Sequence, residues 1–78
     1  RDISTFDIHD RVNYSVTKTD LSIDPEKKEI LLKLSINTEI CTITDYFEII
    51  LGRMLLCRKA AEKLGLCFRL TINNQRLM

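Results

Sequence analysis

The chain has 78 residues, of which 45% are hydrophobic and 29% charged, with a formal net charge of +1. That balance reads as globular and not disordered, and the net charge says nothing about partners, although the mildly basic second half permits an anionic one. With no run of roughly 18 apolar residues, the chain excludes a membrane-spanning helix. A chain this short holds one domain at most, and such a domain buries only about 60% of its unfolded surface. Residues 1–78 are therefore expected to form a single small domain. The chain opens on Arg1 with no charged-then-apolar leader, so the expectation is a fragment of a larger protein.

From Thr5 to Lys18 the apolar residues fall on even positions: Phe6, Ile8, Val12, Tyr14 and Val16. Period two predicts one long half-buried strand, or two short ones broken near Asp10. Leu21 and Ile23 continue the alternation in the odd phase. Asp24-Pro25-Glu26-Lys27-Lys28 then reads as a turn. Proline fixes φ for the second turn position, and the aspartate before it bonds its own backbone. Ile30, Leu32, Leu34 and Ile36 alternate with polar residues and predict the returning strand. Ile40, Cys41 and Ile43 among threonines extend that prediction to about Thr44. The two segments make an antiparallel hairpin whose apolar face needs a cover.

Residues 45–64 supply the cover as a helix. Asp45 followed by Glu48 reads as a capping pair, and Gly65 sits where a helix takes its left-handed C-terminal residue. Lys59 and Lys63 complement the dipole at that end. On a helical wheel Tyr46, Ile50, Met54, Cys57, Ala61 and Leu64 share one stripe, which should face the sheet. Ile49, Leu56 and Ala60 flank it on one side and Phe47 on the other. Leu66, Phe68, Leu70 and Ile72 then alternate as a further strand. Asn73-Asn74 suits a tight turn, after which Gln75 to Met78 begin to return. The predicted fold is α+β: an antiparallel sheet, made of the long hairpin plus a C-terminal strand, covered on one face by a single helix in the order β-β-α-β.

Leu51 and Leu55 fall on the side of the helix that should be wet. An apolar outer face is either covered by something else or presented to a partner. Phe47, Leu51 and Leu55, with Arg58 at the rim, are the candidate interface. The expected function is non-catalytic: a protein–protein interaction or self-association module docking through that face, with a protein partner or a second copy. The alternative is an RNA-binding domain that places Arg58, Lys59, Lys63 and Arg69 on phosphates. It is disfavoured because these cations ring the helix instead of forming a stripe. Gly52, which weakens a helix, stands inside this one, and either another backbone comes close there or it is a tolerated defect.

Catalytic and metal patterns are missing. His9 is the only histidine, and Gly52 and Gly65 are the only glycines, so no phosphate-cradling loop exists. Cys41, Cys57 and Cys67 lack the close spacing of a zinc site and read as small buried hydrophobes in a reducing compartment. No enzyme activity, cofactor or metal is expected. The expected location is intracellular.

Overall fold

The structure is a computed structural model and describes residues 14–78. The expectations for Phe6, Ile8, His9, Asp10 and Val12 lie outside the described residues. Strand β1 (Val16–Asp24) and strand β2 (Glu29–Ile36) form the expected antiparallel hairpin. The helix α1 (Ile43–Lys63) follows, then β3 (Cys67–Ile72) and the two-residue β4 (Gln75–Arg76). The class is α+β, in the order β-β-α-β followed by the short β4, with the helix packed on the sheet.

The turn chemistry explains the first hairpin. The Asp24 carboxylate accepts hydrogen bonds from the backbone N–H of Glu26 at 3.0 Å and of Lys27 at 3.2 Å. Lys28 closes the loop at φ 52. Strand β2 stops at Ile36 and does not run on to Thr44. Asn37 is the cause: its side chain accepts from Glu39 N–H, and its carbonyl accepts from Ile40 and Cys41 N–H. Those bonds fold the chain into a turn, where a ladder would need it extended.

The helix begins two residues earlier than expected. Its N-cap is Thr42, whose hydroxyl accepts from Asp45 N–H at 3.1 Å, so Asp45 lies inside the first turn and is not the cap. The C-terminus behaves as the sequence indicates. Gly65 adopts φ 74, Leu66 N–H bonds Ala61 carbonyl and Gly65 N–H bonds Glu62 carbonyl. That pair of bonds is the Schellman arrangement.

One expectation about the sheet is corrected. The sheet is mixed, ordered β1-β2-β3-β4, because β2 and β3 run parallel. The connection between β2 and β3 crosses over the sheet through a 21-residue helix. A helix returning antiparallel to β2 brings β3 back in the same direction as β2. Strand β4 then pairs antiparallel to β3 through a turn with Asn73 at φ 51 and Asn74 at φ 67, as Asn-Asn suggests.

The core lies between α1 and the β2–β3 pair. Tyr46, Ile50, Met54 and Ala61 of the helix meet Leu34, Ile36, Phe68, Leu70 and Ile72 of the sheet. Leu77 and Met78 close one flank of this cluster. Leu64 leaves the predicted stripe: it is the C-cap, with non-helical ψ, and is 74% exposed.

Candidate functional site

The register fixes what each sheet face carries. Leu21, Leu32 and Leu70 stand side by side across β1, β2 and β3, as do Ile23, Ile30 and Phe68. Alternation puts all six on the helix side of the sheet. Burial along these rows falls steadily away from β3. Leu70 and Phe68 are buried, Leu32 and Ile30 half-buried, and Leu21 and Ile23 are 61% and 60% exposed. Width is the cause. Four strands about 4.8 Å apart are wider than one helix of about 10 Å diameter. The helix sits over β3 and reaches part of β2, which leaves β1 bare.

The helix adds a second surface beside this floor. Ile49, Gly52 and Leu56 follow one another at the three- and four-residue spacing of a single helical face, and all three are exposed. Leu56 is 69% exposed. A parallel β2–α1–β3 connection is right-handed because of strand twist. With that hand, the Ile49–Leu56 flank of α1 faces towards β1. A bare sheet floor and an apolar helix wall then meet at the same open corner, with Leu64 at its end.

The residues expected to form the interface occupy the opposite flank. Phe47 is half-buried against the core and Leu51 is half-buried. Leu55 is 41% exposed and Arg58 is exposed beside it. Leu55 thus remains an outward apolar residue, while the larger exposed area comes from Leu21, Ile23, Ile49 and Leu56. Sequence periodicity assigned Ile49 and Leu56 to the edge of the buried stripe. The signal that would have shifted them was a mismatch of widths, since one helix cannot shield a hairpin and a further strand together.

The cations of the alternative reading do not share a surface. Arg58, Lys59 and Lys63 are exposed on the helix. Arg69 alternates with the buried Phe68 and Leu70, so it points from the far side of the sheet. There its Nε donates to Glu29 Oε2 at 3.3 Å. That far face also holds a shallow polar hollow of about 150 Å³, lined by Lys18, Asp20, Lys33, Ser35, Thr71 and Asn74. No activated nucleophile with a neighbouring base occurs in it.

Cys41 and Cys57 are half-buried and Cys67 is exposed, so none is the fully buried hydrophobe the sequence suggested. Cys67 falls in the outward phase of β3, the face opposite Phe68. Among the described residues no group of histidine, cysteine or acidic side chains converges as a metal site. No helix among them is long and apolar enough to cross a membrane. Among the described residues, the Tyr46 hydroxyl is shifted from its ordinary value. Burial raises it above its ordinary value, Arg53 offsets part of the rise and Cys41 adds to it. Comparisons with protein-family models, curated proteins and solved structures give no match.

Proposed function

We propose that this chain is a non-catalytic docking module, working inside the cell, that binds protein through the apolar corner formed by β1 and the adjacent flank of α1. One observation carries the reading: Leu21 and Ile23 stand more than half exposed on the same face as the core, where the helix does not reach. Contiguous apolar surface of this kind has a cost in water and marks interaction sites. Its anatomy also suits an interface, with aliphatic residues at the centre and the exposed charged residues Arg53 and Lys63 beside it on the helix. The three cysteines, none in a disulfide, accord with a reducing compartment.

The test is a pair of charged substitutions, Leu21→Glu and Leu56→Glu, each studied by thermal unfolding in dilute solution and by retention on a hydrophobic column. A docking surface predicts that each variant keeps its melting behaviour within about 0.5 kcal/mol of the parent. It also predicts that each is retained less than the parent. A loss of several kcal/mol in dilute solution would make these residues part of the core and would sink the reading.

A further inference from the structure

We propose that this chain self-associates through the outer edge of β1, which pairs antiparallel with β1 of a second copy and joins the two sheets into one. The proposal goes beyond docking at the apolar corner, because it uses the backbone edge of β1 and not its bare face.

The direction of the backbone groups comes first. Cys67 N–H bonds Lys28 carbonyl and Asn73 N–H bonds Leu34 carbonyl, so the even-numbered residues of β2 turn their backbone groups towards β3. The odd-numbered ones turn theirs towards β1, in phase with Asn37, whose N–H bonds Ser15 carbonyl. Asp20 and Ser22, directly opposite Lys33 and Leu31, are therefore the residues of β1 bonded to β2. Thr19, Leu21 and Ile23 point their N–H and C=O groups out of the sheet. All three are exposed, and among the described residues nothing pairs with this edge. No proline or glycine interrupts β1. A long open edge strand is a template for another chain. The opposite edge is blunted, since β4 has only 2 residues.

The charges name the occupant. Directly opposite residues of an antiparallel pair share a sheet face, so a two-fold axis between copies passes through one residue of β1 and its own counterpart. Centred on Leu21, the pairing sets Leu21 on Leu21, Thr19 on Ile23 and Lys18 on Asp24, and the axis repeats the last two. Thr19, Leu21 and Ile23 are the residues with outward backbone groups, so each of their pairs exchanges both N–H to carbonyl bonds. Lys18 and Asp24 lie together on the far face of the sheet, where opposite charges meet twice. Asp24 accepts both turn bonds on Oδ1, which leaves Oδ2 for the lysine.

Neighbouring registers fail. An axis at Asp20 sets that carboxylate on its own copy, and an axis at Ser22 sets Asp20 on Asp24. Like charges directly opposite weaken a sheet pair. An axis at Thr19 runs at once into the bulge between Val16 and Lys18, and one at Ile23 runs into Pro25. Strand β1 is thus complementary to itself in one register, a match that an unrelated strand does not share. The backbone bonds hold the copies together, and the charges select how they align.

The deciding experiment reads solution mass over a concentration series reaching about 1 mM. The parent should approach twice its 9.1 kDa chain mass. Leu21→Pro removes an outward N–H and no bond between β1 and β2, so this variant should fold and stay at the single mass. Lys18→Glu sets glutamate on Asp24 at both ends of the contact and should need at least about tenfold higher concentration to associate. A parent that stays monomeric overturns the proposal. So does a folded proline variant, or a Lys18→Glu variant, that associates as well as the parent. If the proline variant unfolds in dilute solution, Lys18→Glu decides alone. The apolar corner is judged separately, by the dilute-solution melting of Leu56→Glu, whose position is not on this edge. A monomeric parent therefore leaves docking at the corner standing.

Discussion

The side-chain amide of Asn73 holds the backbone of Ile36 at two points, accepting from its N–H at 2.9 Å and donating to its carbonyl at 3.1 Å. Asn73 N–H also bonds Leu34 carbonyl at 2.9 Å. The turn between β3 and β4 is therefore tied to the end of β2, which lies 37 residues earlier in the chain. These bonds prolong the parallel pairing beyond its last ladder partners, Leu34 and Ile72. They also hold the end of β2 next to the start of the helix crossover.

Asn73→Gly separates the clamp from the backbone requirement, because glycine accepts φ 51 without strain. Two hydrogen bonds at about 1 kcal/mol each predict a loss of about 2 kcal/mol, or roughly 10 °C in melting temperature for a domain of this size. Asn73→Ala should lose about 1 kcal/mol more, since a β-carbon is unfavourable in the left-handed region. Thermal unfolding of the two variants checks both figures. A glycine variant as stable as the parent would show that the clamp contributes nothing.

The outer limits of the sheet were less legible in the sequence than its individual strands. Alternation located β2 and β3, and Asn-Asn located their last turn, because those signals are local. Asn37 defeated the alternation after Ile36, since an Asx turn takes the chain out of the ladder while its neighbours remain β-branched. The parallel pairing of β2 and β3 was set by the length of the intervening helix, a relation between elements with no local signature. The exposed corner is of the same kind. Leu21 carries the same apolar signal as Leu70, yet one is bare and the other fully buried, because the helix lies over β3. Leu55 was legible as outward-facing because a helical wheel needs only its own segment.

That contrast gives a second prediction. Leu70 is completely buried, so Leu70→Ala should cost about 2–5 kcal/mol and leave little folded protein at 37 °C. Leu56→Ala, on the exposed ridge, should change stability by less than about 0.5 kcal/mol in dilute solution. Chemical unfolding of both variants at one low concentration makes the comparison. Equal losses would contradict the placement of Leu56 outside the core.

Tyr46 gives a pH dependence whose sign follows from its surroundings. Burial raises its hydroxyl above the ordinary 10.0, with Arg53 offsetting part of that rise. Above about pH 10 the unfolded chain then loses this proton while the folded chain keeps it. The folded state binds more protons there, so stability falls as pH rises, and the fall ends once the folded hydroxyl also ionises. Below that window the group contributes no slope. Melting temperatures of the parent and of Tyr46→Phe between pH 8 and pH 11 isolate the effect, because other titrations are common to both and cancel in the difference. The parent should lose stability relative to Tyr46→Phe on the alkaline side only. A constant difference across the range would contradict the effect of burial.

Gly52→Ala tests whether the fold has any use for a glycine inside its helix. No atom of the fold obstructs the added methyl group, and the site has ordinary helical geometry. Alanine should therefore stabilise the isolated chain by about 0.5–1 kcal/mol, raising the melting temperature by roughly 4 °C in dilute solution. Melting curves of the parent and of Gly52→Ala at one low concentration make the measurement. An alanine variant less stable than the parent would mean that the fold itself uses the missing side chain, against the open space around it.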